Sequence, residues 1–564
     1  MTRRKPLSRV AGDHDGVAHA AGPQEVSFTV IAGDDALLWA NAESNRNAWN
    51  QLWTACPWST AFQSCTFFGI WSRNYRESWS PLLVIGRRQD GSLVGVMPLA
   101  ENADLIVGAG AHQAEYQGAI SSEADALVFF AGALAALTTH APHRDLRLRY
   151  LPPNVPPTVI EWLGRHRRAT LIPCQTQHLF VDSATIDAAM KKAGNKSKLN
   201  RLRRLGLVDF RRLTPALLET EFDRIVAMYD FRQGALHDTC PFSEDDRKLP
   251  FHVDWLRNAP NQLQATGLYV DDQLISAVLV VRSKEEAHLA ISAFSPAHAA
   301  CSPNKLNIYF AARSLCDEGA AVLDLTPGDD PWKARFASRV RIAWDVKVFA
   351  SPWVARALRV RLAAKQLVRR ALAGAGLSVD GVRGLVRWPG RVWRGKQRSK
   401  EGAQTQYMFD IGAPRFDDQA RATVPVNCLH DLLNLAARLQ RNARSSFLAN
   451  ALRRIERGDR CFVAFDQTRR AHCLGWLRAQ NKAEAVVFDG FWLSDPADLG
   501  TAVSCLSAMV RAVANGPPSA RAGLLNLRRD QQILCAAATV VSRDRTRADA
   551  SSVISDLSRR VVNL

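Results

Sequence analysis

The chain has 564 residues, 47% of them hydrophobic and 23% charged. That composition suits three or four folded domains and excludes a mostly disordered protein. A net charge of +19 and a pI near 9.8 favour polyanions, anionic membrane surfaces or phosphorylated small molecules as partners. The charge is uneven. Between Val354 and Lys400, 13 Lys or Arg face a single acid, Asp380, so this window carries +12 of the +19. The remainder is only mildly basic, which argues against nucleic acid as the partner. Eleven cysteines include no C-x-x-C pair, and the closest two, Cys56 and Cys65, are nine apart. Zinc-ligand spacing is absent, and no metal is expected. The cysteines read as reduced, mostly buried thiols of a cytosolic protein.

In chain order, residues 1–25 begin with basic residues but lack the apolar run of a signal peptide, and read as a disordered tail. No later stretch approaches the length of a membrane-spanning helix. "PLLVIGRRQDGSLVGVMPLA" (81–100) is strand, Asp90-Gly91 turn, strand. At the next strand position the pattern is blurred, in "ENADLIVGAG", and a clear helical "ADALVFFAGALAALTTHA" and strand "DLRLRYL" follow. "TGLYVDDQLISAVLVV" (266–281) is a second hairpin, followed by a strand "EAHLAISAFS", a helix "SPNKLNIYFAARSLCDEGA" and a strand that opens "LDLTPGDDPWKARFA" (323–337). "RCFVAFDQTRRAHCLGWLRA" (460–479) repeats the plan, with "AEAVVFDGFWLS", a helical "ADLGTAVSCLSAMVRAVAN" and a strand "AGLLNLRR" after it.

Hairpin, strand, helix, strand therefore occurs three times, at intervals of about 190 residues. That layout predicts an α/β fold of N-acetyltransferase type in tandem; three unrelated α/β domains are the alternative. The expected domains are a tail (1–25), a first unit (26–192), a second unit (193–352), a basic helical linker (353–400) and a degenerate third unit (401–564).

Four segments of the second unit, "KSKLNRLRRLGLVDFRRL" (196–213), "AMYDFRQGA" (227–235), "CSPNKL" (301–306) and "LDLTPGDDPWKARFA", resemble in order the signatures of the CelD/BcsL-type acetyltransferase-like family, a branch of the GNAT superfamily. Members of that family typically show a basic helix before a strand, then Ser-Pro-Gly at a helix start, then Asp-Phe-x-x-Gly-x-x-x-Tyr-Lys. Asp324, Gly328 and Lys333 match the last motif, with Leu325 in place of its Phe and Trp332 in place of its Tyr. Ser302 and Pro303 match the helix start, and Asn304 replaces its Gly. In the first unit, "AEYQGAI" resembles the family's Tyr-containing loop through Tyr116. The resemblance spans residues 25–350 and leaves the C-terminal unit outside. It implies tandem GNAT-like domains of the kind found in the Fem peptidyltransferases, acyl-CoA as co-substrate, and a role in bacterial cellulose or exopolysaccharide synthesis.

Acyl transfer from a thioester needs a phosphate-binding helix N-terminus, a donor for the oxyanion and a base for the acceptor. Ser302 and Asn304 are the cofactor-binding candidates, with Ser302 as N-cap and Pro303 at the first helical position; plain capping is the alternative. The Gly-rich loop usual in acetyltransferases is absent here. Asp324 and Lys333 are catalytic candidates: Asp324 would orient the acceptor and Lys333 would meet an anionic part of it, against a buried structural carboxylate and a surface lysine. His237 is a candidate base because neutral imidazole titrates near neutrality. Tyr116, Arg204, Gly328 and Trp332 complete the substrate-binding set; Arg204, Arg201 and Lys198 also read as a solvated helix face. The stretch 353–376 places Val354, Leu358 and Leu362 among arginines, as an interfacial helix for an anionic inner membrane or a synthase partner, or as a charged linker. Trp388 and Trp393 would suit an interface.

The predicted protein is a cytoplasmic acyltransferase, peripheral to the inner membrane through 353–400, that moves an acyl group from acyl-CoA to a sugar or amine. A non-catalytic scaffold tethering a polysaccharide synthase, and an aminoacyl-tRNA-dependent Fem-like transferase, are the alternatives.

Overall fold

A computed structural model of the chain describes residues 25–328, 330–374, 404–410, 427–465, 471–477, 485–493 and 522–528. The N-terminal tail, Asp329, Trp388, Trp393 and most of the basic linker and C-terminal unit lie outside the described residues. The chain forms two compact units, one of residues 1–222, 245–292 and 304–378, the other of residues 223–244, 293–303 and 379–564.

The first unit opens with β1 (Val26–Ala32), α1 (Asp34–Asn41), α2 (Glu43–Ala55) and α3 (Cys65–Tyr75). The hairpin β2 (Ser80–Arg88) and β3 (Leu93–Glu101) follows, as expected for a turn at Asp90-Gly91. Then come β4 (Leu105–Gly108), β5 (Ile120–Ser121), α4 (Ala126–His140), β6 (Asp145–Leu151), α5 (Pro157–Arg165) and β7 (Ala169–Phe180). The next stretch holds α6 (Ser183–Lys191), α7 (Ala193–Arg203), β8 (Val208–Leu213), α8 (Pro215–His237) and α9 (Lys248–Asn258). The second hairpin is β9 (Leu263–Val270) and β10 (Gln273–Ser283), followed by β11 (Glu286–Phe294), α10 (Pro303–Asp317), β12 (Val322–Pro327), β13 (Arg339–Val348) and α11 (Pro352–Gly374).

These strands make one sheet in the order β1-β2-β3-β4-β6-β13-β7-β12-β11-β10-β9-β8, with β5 beside β3. The hairpins are antiparallel, while β4 pairs parallel with β6 and β11 parallel with β12. A helix, α4 or α10, crosses over between each parallel pair, as parallel pairing requires. The centre carries an exchange. β13 inserts between β6 and β7, and runs against β7 from Arg339–His178 to Val348–Ala169 in unbroken register. Strands far apart in the chain, β7 and β13, thus share one ladder, and its backbone groups are satisfied only when both are present.

Helix α10 covers one face of the sheet with a core of Leu179, Val181, Val278, Ala287, Leu289, Ile308, Leu323 and Leu325. Its Asn307, fully buried, donates from Nδ2 to the carbonyls of Thr266 (3.2 Å) and Ser276 (3.1 Å) and accepts from Thr266 Oγ1 (3.1 Å). Polar pinning of this kind fixes the helix in one register on its hairpin. Helix α4 packs over β1–β3, where Phe129 sits against Phe28 with ring centroids 5.9 Å apart.

In the second unit the third repeat appears as β14 (Gln404–Asp410), α12 (Leu429–Ala437), α13 (Arg441–Glu456), β15 (Arg460–Phe465), β16 (Ala471–Leu477), β17 (Ala485–Leu493) and β18 (Ala522–Arg528). The sheet order is β14-β18-β17-β16-β15, with β17 and β18 parallel and the other pairs antiparallel. The hairpin β15–β16 and the strands β17 and β18 fall where the sequence places them, and the expected helix between β17 and β18 lies outside the described residues. Leu432, Leu435, Leu448, Ile455, Val463 and Trp476 form its core with Phe231 and Ala235.

Gly95 shows how closely the α4 face is packed: a Cβ built there would lie 2.3 Å from Phe129. Gly95→Ala is therefore expected to cost about 1–3 kcal/mol through overpacking. Urea unfolding reads this as an earlier midpoint, and Phe129→Ala in the same chain should relieve the steric part.

Candidate functional site

The alternation of β12 decides what its residues do. Leu323 and Leu325 are fully buried toward α10, so Asp324 between them points to the opposite face, where it is 1% exposed. Register supplies its neighbours. Asp324 pairs with His178 on β7 and with His288 on β11, and Thr176 lies two residues before His178 on the same face. Tyr116, from the loop after β4, closes the group from above.

The carboxylate is densely served. Tyr116 Oη donates to Oδ2 at 2.5 Å, Thr176 Oγ1 donates to Oδ1 at 2.6 Å, and the Thr326 amide donates to Oδ1 at 2.8 Å. His288 Nδ1 lies 3.3 Å from Oδ2, and His178 Nε2 stands 3.6 Å from Oδ1. Burial alone would raise the Asp324 pKa. The hydrogen bond and attraction of His288, followed by His178 and the Thr176 hydroxyl, outweigh it and hold the carboxyl well below the usual carboxylate range. Burial, then Asp324, pushes the Tyr116 phenol far up, so it keeps its proton and donates. His178 Nε2 and His288 Nε2 are buried without hydrogen-bond partners. The His288 ring packs edge-on against Tyr116 at 5.4 Å and lies 5.9 Å from Phe62.

Beyond Asp324 the chain turns sharply. Thr326 has φ +67° and Gly328 φ +143°, a left-handed passage that favours glycine at 328 and strains the branched Thr326. Lys333 is buried and holds this turn together: Nζ donates to the carbonyls of Thr326 (3.1 Å) and Pro327 (3.3 Å) and pairs with Asp330 at 3.4 Å. Trp332 is half-buried, edge-on to Phe336 at 6.0 Å.

One carboxyl beside this group was not singled out from the sequence. Glu115 precedes Tyr116 and is half-buried. Burial raises its pKa, against the attraction of Arg149, Lys333 and Lys248, and Asp324 pushes it further up. Two neighbouring carboxyls thus have their pKa values driven in opposite directions. A polar cluster adjoins them: Tyr75 Oη donates to Asp245 Oδ2 at 2.7 Å, and Gln113 Nε2 donates to Tyr75 Oη at 2.9 Å. Lys248 Nζ donates to Gln113 Oε1 at 2.5 Å.

The structure joins Tyr116 to Asp324, sets Gly328 beside Lys333 on the turn that follows, and packs Trp332 against the α10 core. Asn304, in the first turn of α10, accepts from Ser292 Oγ at 2.9 Å, which ties it to β11. Ser302 precedes α10 in the left-handed region at φ 46°, not in the extended geometry of an N-cap. Arg204 is exposed at the C-terminal end of α7. His237 is exposed at the last residue of α8 and belongs to the second unit. Thr176, His178, His288 and Glu115 were missed. A Thr-x-His spacing in "QTQHLF" and a histidine amid apolar residues in "EAHLA" were the available signals. Among the described residues no group of three or more His, Cys, Asp or Glu is placed to hold a metal ion.

Beyond His288 and Asp324 the parallel strands separate, since β11 and β12 pair only over Glu286–His288 and Val322–Asp324. At the start of α10, Lys305 feels Lys198, Arg335 and Lys192, and burial with these like charges lowers its pKa. A cationic cluster at a helix N-terminus is suited to anions.

Residues 191–334 match the family described as "Acetyltransferase (GNAT) domain". The chain therefore carries a transferase domain of GNAT type, a family whose acetyltransferases use acyl-CoA, within a mixed α/β fold of acyltransferase kind. Among solved structures it is similar to FemX (10% identity over 53% of this chain and 95% of that one, TM-score 0.39). It is also similar to a tandem GNAT protein from the clavulanic acid biosynthesis pathway (16% identity, 58% and 99%, TM-score 0.35). A third is L-PGS from Bacillus licheniformis (10% identity, 57% and 96%, TM-score 0.36). No curated protein sequence matches.

The buried histidines fix a pH response. His252, on α9, is driven down to about 3 by burial and by Lys248, and burial lowers His178 as well. A histidine kept neutral in the fold binds its proton only on unfolding, so stability falls as pH drops below about 6.5. Each such group contributes about 1.4 kcal/mol per pH unit down to its folded value. Asp324 adds its own loss only at lower pH, below about 3.9, where the unfolded carboxyl protonates. Urea midpoints at pH 7 and pH 5 should differ, and His252→Gln should flatten the slope.

Proposed function

We propose that this protein transfers an acyl group from acyl-CoA to a hydroxyl or amine of a sugar acceptor, with Glu115 as the general base and Asp324 as the fixed anion that organises the site. The observation that carries this reading is the pair of neighbouring carboxyls with pKa values moved apart, Asp324 held ionised by the donors around it and Glu115 raised above the ordinary glutamate value by burial. A base works best when its pKa approaches the working pH. Glu115 accepts the acceptor's proton as its oxygen or nitrogen attacks the thioester carbon, and the CoA thiolate leaves. Lys333, Lys248 and Arg149 supply positive potential where negative charge develops.

The donor's phosphates are assigned to the start of α10, where Lys305, Lys198, Lys192 and Arg335 gather. The motif order around Asp324, Gly328 and Lys333 supports a CelD/BcsL-type protein with a sugar acceptor in cellulose or exopolysaccharide synthesis, built from paired units 26–192 and 193–352. Peripheral attachment to an anionic membrane or a synthase through residues 353–400 belongs to the same reading.

A scaffold is the second reading, favoured by a specific observation: Asp324, Tyr116 and His288 are at most 1% exposed, and Lys333 Nζ is occupied by backbone carbonyls. Calorimetry with acetyl-CoA and longer acyl-CoAs separates the two. Binding that weakens about tenfold in Lys305→Ala, as a lost charge-assisted phosphate contact would give, supports the enzyme. No binding of any acyl-CoA leaves the scaffold.

With an acceptor in hand, Glu115→Gln should lower turnover about 10²–10⁴-fold. The wild-type rate should rise with pH through a value above the ordinary glutamate range, and the variant should lack that limb.

A further inference from the structure

Helix α11 contains six Lys or Arg and no acid. One side of it is settled by the fold: it packs toward β7, with Ala355 buried, Leu358 and Leu362 half-buried, and Arg359 Nη2 donating to the Arg167 carbonyl at 2.9 Å. The two leucines singled out from the sequence therefore turn inward. The opposite side is apolar and open. Trp353, Val360 and Leu367 recur every seven residues and are 73%, 63% and 65% exposed. Seven residues are nearly two turns, so the three form one stripe, and exposed Ala357, Ala364 and Ala371 fill the spaces between them. Exposed Arg356 and Arg370 border the stripe on one side, and exposed Arg361 and Lys365 on the other.

We propose that α11 rests on an anionic lipid surface, with Trp353, Val360 and Leu367 at the level of the acyl chains and the four bordering cations among the headgroups. This deepens the surface attachment proposed above and rests on none of the acyl-transfer chemistry. An apolar stripe edged by long cationic side chains matches such an interface, because the aliphatic stems extend the apolar surface while the charges reach the lipid phosphates. Anionic lipid adds attraction for each cation near the surface. A second copy of the helix fits poorly, since pairing along the stripe would set cationic borders against each other with no acid to match them. Among the described residues no helix is long and apolar enough to cross a membrane, so the helix would lie in the surface plane.

Flotation of the full chain tests this, with vesicles of phosphatidylcholine alone and of phosphatidylcholine mixed with phosphatidylglycerol. The intact chain should float with the mixed vesicles and stay behind with the neutral ones. The variant Trp353→Ser/Val360→Ser/Leu367→Ser keeps every charge and alters only exposed positions; its partitioning should fall at least about tenfold. The variant Arg356→Gln/Arg361→Gln/Lys365→Gln/Arg370→Gln should lose the preference for anionic lipid. Unchanged melting of both variants excludes misfolding, and unchanged acyl-CoA binding keeps this outcome separate from that of the transferase reading. Equal flotation of the serine variant and the intact chain overturns the proposal, because net charge alone would then explain the attraction. Failure of the intact chain to float on mixed vesicles also overturns it and assigns the stripe to a protein partner.

Discussion

A single buried carboxylate organises the centre of the first unit. Asp324 receives a phenol, a hydroxyl and a backbone amide, with an imidazole on either neighbouring strand. These donors come from positions 116, 176, 288 and 326, so the group forms only when the loop after β4 and strands β7, β11 and β12 have all reached their places. A buried charge is costly unless fully served, and removing one donor exposes the whole penalty. The ion pair's net contribution to stability is secondary to this requirement. It makes one strand register acceptable and its neighbours unacceptable, because a slip of one residue on β12 would swing Asp324 into the apolar core of α10.

The same requirement explains the turn that follows. A branched residue at positive φ is costly, yet Thr326 adopts it while its amide bonds Asp324 and its carbonyl receives Lys333. Asp324 and Lys333 therefore secure the two ends of one short strained segment, and Gly328 lets the backbone pass between them. This gives the Asp-to-Lys spacing of "DLTPGDDPWK" a conformational reason independent of chemistry. Glu115, half-buried beside Tyr116, takes no part in securing this turn.

Part of this is legible in the sequence, and the boundary of legibility is physical. Hairpins with tight polar turns announce themselves locally, so all three hairpins are readable, as are the strands "DLRLRYL" and "AGLLNLRR". The importance of Asp324 was visible in its motif. Its partners were not, because Thr176 and His178 lie on β7, which reaches β12 only through the exchange of β7 and β13 at the sheet centre. Sequence periodicity says which side of a strand a residue faces and nothing about which distant strand lies beside it. For Lys333 the motif suggests a contact with an anionic group, while its hold on the Thr326 and Pro327 carbonyls is legible only in the left-handed turn. In α11 the sequence points to the side of Leu358 and Leu362, but two apolar sides compete on that helix, and only packing against β7 tells which is already used.

That packing joins the two proposals. Strand β13 is held on both sides, by β6 and β7, and ends at Val348; α11 begins four residues later at Pro352. A helix leaving a strand clamped on both edges, and itself packed on β7, has little freedom to reorient. Its exposed stripe is therefore fixed relative to the β7–β12 register that builds the Asp324 group. If the stripe lies on lipid, the sheet is presented to the surface in one orientation and the opening between β11 and β12 faces a constant direction. A flexible tether would only raise the local concentration of the enzyme near its acceptor. A helix fixed in this way also selects which acceptors can approach, and it does so through the same central ladder that brings His178 to Asp324.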